Sequence, residues 1–360
     1  MIAPTDPFSS FKTNFNNTNT AATNAINNTA SEIQQQTAPV TKSFDKKNAA
    51  IIGGVAALAI AGIGAAVMIK KGKMPDEVKE AFIAANKLND EATSLAQSAQ
   101  KQADEILETA QKKFDEVTEL FKKGEEKAAD GTVLRKITKE SDTQSVMEEF
   151  ADGKLVRQTF FEEDKAQNIY ENIEQFADGS KKAAKALGFD NGKISEYSEN
   201  VEKFADGSEK AAKVLDFDNG KISVCVENFE QLADGSEKAA KVLYSDNGKI
   251  EEYVENFEQL ADGSKKAAKV LDFDNGKISY YAEDYENTDG FITSAKDLYF
   301  DNGKPRRLVI DDGYGDASRE YKKEGLGWKK TDFDDFDDFD DFDDFDDFDD
   351  DWFDDENPAG

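Results

Sequence analysis

Internal repetition between residues 129 and 315 constrains the fold of this chain more than any other feature of its sequence. Ala-Asp-Gly-Ser begins at positions 177, 205, 233 and 261, and Asp-Asn-Gly-Lys begins at positions 190, 218, 246 and 274. The two motifs share one constant interval, and a fifth Asp-Asn-Gly-Lys, at position 301, comes one place early. Asp-Gly and Asn-Gly accept the positive φ angles that tight hairpin turns require. The repeat therefore predicts arms of about ten to twelve residues joined by turns, as in an antiparallel hairpin array.

The turn glycines alternate between a shorter and a longer spacing through most of the array. We expect them to close the hairpins, and they are Gly179, Gly192, Gly207, Gly220, Gly235, Gly248, Gly263, Gly276 and Gly303. A helical alternative exists, because apolar residues within 250–260 also recur at helix spacing and the next arm, 264–273, contains good helix formers. We favour strands because the turns persist and the divergent copies at 153–162 and 306–311 are rich in β-branched and aromatic residues. Helix-turn-helix repeats remain the alternative.

One pentapeptide links the repeats to a known family. Phe-Asp-Asn-Gly-Lys occupies 189–193, 217–221, 273–277 and 300–304. It resembles the repeat of bacterial MORN-variant proteins of the toxin–antitoxin type. The resemblance implies an open antiparallel sheet of hairpins used for protein interaction. The chain departs from the family in its longer unit and in a Lys-Ala-Ala-Lys arm that replaces a second glycine-containing arm.

Residues 49–69 contain no charged side chain. About 20 such residues cross the hydrocarbon core of a bilayer as a helix, so the segment predicts one transmembrane helix and a single-pass membrane localisation. Small residues four apart allow close helix packing in lipid, and we expect self-association through Gly53, Ala57, Ala61 and Ala65. The lysines flanking the segment weakly favour a cytoplasmic C-terminal part.

Residues 74–124 predict a long amphipathic helix. Its apolar positions follow an 11-residue repeat, which keeps the stripe nearly straight along the helix. We expect a helical stalk that pairs with its copy in a second chain, as in a coiled coil; the alternative is one helix packed on another part of the protein. Residues 50–120 together resemble YtxH-like single-span bacterial envelope proteins.

Both ends of the chain have compositions typical of disorder. Residues 1–48 are rich in Asn and Thr, and residues 332–360 repeat Phe-Asp-Asp with 17 acidic and no basic residues between 332 and 356. The tail is either a solubiliser or a multivalent binding element for a basic and apolar protein partner. The aromatic residues expected to contact that partner are Phe333, Phe336, Phe339, Phe342, Phe345, Phe348, Trp352 and Phe353. Residues 316–331 are expected to be a linker.

The composition excludes the catalytic sites that require histidine or several cysteines. The chain has no histidine and a single cysteine, Cys225, which excludes Ser-His-Asp triads and multi-cysteine zinc sites. We expect no enzyme activity, no cofactor and no metal site, and the net charge of −31 argues against a nucleic-acid partner. The sequence thus predicts a multi-segment α+β protein, anchored in a membrane, that binds or scaffolds protein partners. The alternative is a self-associating envelope structural protein in which the repeats are spacers.

Overall fold

A computed structural model describes residues 74–311, 318–325 and 327–333 of the chain. These residues form mostly antiparallel sheet, with one α-helix among them. The helix is α1 (Asp76–Lys123), and the strands are β1 (Glu126–Lys127), β2 (Val133–Lys139), β3 (Gln144–Ala151), β4 (Lys154–Glu162), β5 (Lys165–Gln175), β6 (Lys181–Asp190), β7 (Lys193–Lys203), β8 (Glu209–Asp218), β9 (Lys221–Gln231), β10 (Glu237–Asp246), β11 (Lys249–Gln259), β12 (Lys265–Asp274), β13 (Lys277–Thr288), β14 (Phe291–Thr293), β15 (Lys296–Asp301), β16 (Lys304–Asp311), β17 (Ser318–Glu324) and β18 (Gly327–Phe333).

The eighteen strands form one meandering sheet. Strands adjacent in the chain pair in the sheet, except that β13 pairs with both β14 and β15. The Asn-Gly turns have positive φ at both central residues, 50° at Asn191 and 78° at Gly192, as type I′ turns require. The repeats between residues 165 and 288 are therefore hairpins, and the helix-turn-helix alternative is wrong.

The Asp-Gly-Ser turns have a different geometry from the Asn-Gly turns. In the first of them only Gly179 has a positive φ, of 91°, and Asp178 has none. Asp178 Oδ1 accepts hydrogen bonds from the hydroxyl and the backbone N–H of Ser180, at 2.6 and 2.9 Å. Those two bonds, the hydroxyl first, hold the pKa of Asp178 below its usual value. The Asp-Gly-Ser turns thus lack the positive φ at both central residues that a type I′ turn requires.

Five odd-numbered strands, β5 to β13, contain an unusual residue at mid-strand. Asn172, Asn200, Asn228, Asn256 and Asp284 have φ values of 53°, 51°, 55°, 52° and 53°, in the left-handed region. Around Asn228 the pairing register continues unchanged, from Lys213–Glu227 to Ala211–Phe229. Val226 and Phe229 belong to the same core cluster although they are three residues apart. The left-handed residue thus reverses the alternation of side chains along the strand.

The sheet is buried on both faces over the repeats. One face carries a row of apolar side chains aligned across neighbouring strands, including Leu187, Tyr197, Leu215, Cys225, Leu243, Tyr253, Leu271 and Tyr281. A second cluster on the other face contains mainly small residues, among them Ala183, Ala211, Val226, Val242 and Ala282.

Helix α1 crosses the strands and covers the first of these faces. Near its start, the Tyr321 hydroxyl of β17 donates to Glu77 Oε1 at 2.8 Å. Near its end, the rings of Phe121 and Phe161 of β4 stack with centroids 4.1 Å apart. The apolar stripe between these points is buried in the same core as the sheet row, and Ala99 within it is fully buried. Burial of this stripe stabilises the helix, because an amphipathic helix in a protein gains most of its stability from packing of its apolar face.

The structure corrects several expectations. The helical stalk and its coiled-coil pairing are wrong, because the stripe that would pair with a second chain packs on the sheet instead. In the described part of the chain no helix is long and apolar enough to span a bilayer, which contradicts the predicted transmembrane helix and the single-pass localisation. The segment 49–69 itself lies outside the described residues, as do residues 1–48. Residues 316–331 are not a plain linker, because they contain β17 and most of β18.

Candidate functional site

Two rows of alternating charge cross the repeat strands. In the first row, ion pairs join Lys182 to Glu202, Lys210 to Glu230, Lys238 to Glu258 and Lys266 to Glu286 at 2.5, 2.9, 2.8 and 3.1 Å. Each lysine also lies opposite a glutamate of its other neighbouring strand. A second alternating row on the helix side runs from Glu171 to Lys296. The Lys-Ala-Ala-Lys arm supplies one cation to each row, so lysine and glutamate alternate within both rows.

Cations outnumber acidic residues in the last three strands. Strands β16 to β18 carry eight Lys or Arg against four Asp or Glu, in a chain whose net charge is −31. Three of the cations, Arg307, Lys322 and Lys329, lie directly opposite one another on adjacent strands. We refer to them as the basic row, and all three side chains are exposed. Like charges directly opposite each other destabilise a sheet, so the row lowers stability locally.

An aromatic side chain extends the basic row. Tyr299 of β15 lies opposite Arg307, whose guanidinium carbon is 5.4 Å from the centre of the tyrosine ring. The ring is also 5.3 Å from that of Tyr280 and remains 38% exposed. Glu320 forms an ion pair with Arg307 and offsets part of the positive charge. We call Tyr299 and the basic row together the C-terminal face.

The C-terminal face is backed by a packed core. Side chains alternate along a strand, so the neighbours of the basic row point to the other side. There Leu308 and Tyr321 are buried in the cluster that includes α1. The cations therefore stand on strands held in place by the helix. They can bind an anionic or aromatic surface.

A second exposed feature lies at the hairpin that joins β13 and β14. Phe291 and Ile292 are 80% and 53% exposed, beside a turn in which Asp289 and Gly290 both have positive φ. This hairpin is where the regular Asp-Gly-Ser turn of the repeat is lost. Exposed large apolar side chains of this kind are typical of contact surfaces when they cluster, and here two are adjacent in sequence.

Carboxyl groups face each other in two places on the face opposite α1. Asp216 lies opposite Glu196, and Asp272 lies opposite Glu252. Burial, followed by the facing carboxylate, raises the pKa of Asp216 and of Asp272 well above the usual value. Within the described ranges no group of three or more metal-ligating side chains is placed to hold an ion. These pairs therefore bear on stability rather than on a ligand site.

Cys225 occupies a core position that tyrosine holds in the sister repeats. It is fully buried between Leu215 and Leu243 in the helix-side row, and burial raises the pKa of its thiol to about 12. The equivalent Tyr197 and Tyr281 hydroxyls donate to Glu199 and Glu283 at 2.8 and 2.7 Å. A buried thiol with a raised pKa is inert, so Cys225 is a packing residue.

The predicted site residues fall into three groups. The turn glycines all lie in hairpin turns with positive φ. Phe333 ends β18, whereas the other predicted tail contacts lie outside the described residues, as do Gly53, Ala57, Ala61 and Ala65. The basic row was not among the predicted residues. The density of Lys and Arg between residues 304 and 330, just before a tail rich in Asp, was the sequence signal that could have identified it.

Comparison with protein-family models and with curated proteins gives no match for this chain. The likeness to MORN-variant repeats therefore depends on the Phe-Asp-Asn-Gly-Lys motif and on the hairpin array alone.

Proposed function

We propose that this chain is a non-catalytic protein-binding scaffold. The repeat sheet with α1 is a rigid platform, and the C-terminal face and the acidic aromatic tail are its contact elements. The observation that carries this proposal is the alignment of three exposed cations on β16, β17 and β18 beside an exposed tyrosine. Arginine and tyrosine are enriched at protein interfaces. The resemblance to MORN-variant repeats also implies a sheet used for interaction.

The tail would bind a protein surface that is basic and apolar. Its aromatic residues recur every three positions between pairs of aspartates, so one partner can engage several identical units. The net charge of −31 disfavours a nucleic acid, since phosphates require neutralisation by Lys and Arg. The alternative is a self-associating structural protein in which the repeats are spacers. The stripe of α1 is buried on the sheet, so α1 would not contribute to such self-association.

Affinity capture with the full chain tests the proposed function. In one variant Phe336, Phe342 and Phe348 are changed to Ser, which keeps every tail carboxylate. A matched control changes Phe176→Ser, because Phe176 is exposed at a hairpin turn outside the C-terminal face. We expect the tail variant to lose partners that the unmodified chain and the control both retain. Identical partner sets for all three proteins would overturn the proposal.

A further inference from the structure

We propose that the acidic aromatic tail, residues 334–360, folds back onto the C-terminal face of its own chain and occupies it until a partner displaces it. The docking does not depend on the proposed function; only its consequence for partner binding rests on that function. The tail is the occupant because of its charge, the spacing of its Phe-Asp-Asp units and its attachment point.

Charge complementarity is the first argument. The basic row aligns three exposed cations across three strands, with Glu320 paired to only one of them. Sixteen carboxylates follow β18 between residues 334 and 356, without a basic residue among them. Elsewhere on the sheet each ladder lysine faces glutamates on its neighbouring strands. The tail supplies the anions that the basic row lacks, and it does so within the same molecule.

Spacing is the second argument. Adjacent strands are about 4.8 Å apart, so Arg307 and Lys329, two strands apart, are separated by about 10 Å. An extended chain rises about 3.3 Å per residue, so one Phe-Asp-Asp unit also covers about 10 Å. Successive aspartate pairs of a tail segment that crosses the strands therefore match the outer cations of the row. The Phe on the far side of the aspartate pair at Arg307 then lies about one strand further on, near Tyr299, whose ring is partly exposed.

Attachment is the third argument. Lys329 lies four residues before Phe333, the last residue of β18, which corresponds to about 13 Å along the strand. The segment 334–360 can extend far beyond that distance, so its first few units can turn back and reach the row. A short tether of this kind gives an effective concentration in the millimolar range. At such a concentration, contacts too weak to hold two separate molecules together are sufficient to keep the tail on the basic row.

Zero-length carbodiimide cross-linking of the full chain, read by peptide mass spectrometry, tests the docking. The reagent joins a carboxylate to an amine only when the two are in contact. We expect tail aspartates to join Lys322 and Lys329 in preference to Lys193, Lys221 and Lys249, which are exposed at the hairpin turns. Cross-links to the two row lysines should fall several-fold at 1 M salt because the Debye length shrinks to about 3 Å. Cross-links spread evenly over all five lysines would overturn the proposal.

A pair of charge-matched variants makes the test specific. Arg307→Glu with Lys322→Glu should reduce cross-linking of the tail to Lys329 by about tenfold, since two cations become repulsive anions. Lys193→Glu with Lys221→Glu changes the net charge equally and should leave that cross-link unchanged. Circular dichroism confirms that both variants retain the strand signal. Equal yields at Lys329 in the two folded variants would overturn the proposal.

Isotope mixing identifies the molecule that supplies the tail. Equal amounts of ¹⁴N and ¹⁵N chains are cross-linked together, and each cross-linked peptide pair is sorted by isotope. Docking within one chain gives pairs of a single isotope, whereas mixed pairs at the statistical frequency would overturn it. If the cross-links show no preference for the row lysines but affinity capture still depends on the tail aromatics, the docking of the tail is wrong and the proposed function is unaffected.

Discussion

Replacement of Asn228 by valine tests the least ordinary feature of the sheet. Asn228 is exposed on β9 with φ of 55°, so the substitution removes no buried contact and acts through the backbone. A residue with a Cβ in the left-handed region loses roughly 1–2 kcal/mol, and a β-branched residue is a true outlier there. Asparagine tolerates this region better than most residues. We therefore expect Asn228→Val to lower the free energy of unfolding by about 1–2 kcal/mol.

Thermal unfolding followed by circular dichroism is a suitable assay. For a domain of about 150–250 residues each 1 kcal/mol shifts the midpoint by about 2–4 °C, so the expected decrease is about 2–8 °C. Asn228→Gly should stay within about 1 kcal/mol of the unmodified chain, because glycine reaches the left-handed region freely but loses more entropy on folding. Lys221→Val, at an exposed position of the same strand without positive φ, should change stability by less than about 0.5 kcal/mol.

Comparison with Lys221→Val decides whether Asn228 has a left-handed backbone. If Asn228→Val unfolds at the same temperature as Lys221→Val, the strand has no left-handed residue at that point. Ordinary alternation would then place Val226 and Phe229 on opposite faces. The second core cluster, to which both belong, would lose one of the two.

Three further predictions follow from the buried residues. Burial and the facing Glu252 raise the pKa of Asp272, so the protein loses stability as pH rises through the folded-state pKa of this group. Asp272→Asn should therefore raise the unfolding temperature at pH 8, and this gain should disappear towards pH 4. A variant that is less stable than the unmodified chain at pH 8 would contradict this. The thiol of Cys225 should react with a thiol reagent only as fast as the protein unfolds, and rapid labelling under native conditions would show that it is not buried. Ala99→Leu should destabilise the protein by about 1–3 kcal/mol in denaturant titration, because Ala99 is fully buried. Ile83→Lys, at an exposed position of α1, should change stability by less than about 0.5 kcal/mol. Equal effects of the two substitutions would show that α1 does not pack on the sheet.

The hairpin array could be predicted from sequence because its signal is local. A turn with positive φ at both central residues requires Asn-Gly or a similar pair, and that requirement does not depend on the rest of the fold. The helix-like spacing within 250–257 had a cause that sequence patterns do not reveal. A register shift at Ser245 leaves Glu251 as an extra residue, so Ile250 and Tyr253 share a face although they are three residues apart. The left-handed Asn256 then places Phe257 with Val254. Two departures from regular strand geometry thus reproduce a helical period.

The surroundings of α1 could not be predicted in the same way. An 11-residue apolar repeat shows that the buried stripe is straight, but a straight stripe fits a second helix and a sheet equally well. The choice depends on whether another apolar surface of matching length exists in the chain. The row that runs through Tyr197, Leu215 and Leu243 is such a surface, and it becomes recognisable only when the pairing register across the strands is known.

The candidate site also depends on register. Arg307, Lys322 and Lys329 are unevenly separated in sequence, and nothing in their spacing aligns them until β16, β17 and β18 are paired. Within the two ladders of the repeats, pairing places lysine opposite glutamate. At the last three strands it places cation opposite cation. Three exposed cations aligned in this way destabilise the sheet locally, and an anionic ligand would offset that repulsion.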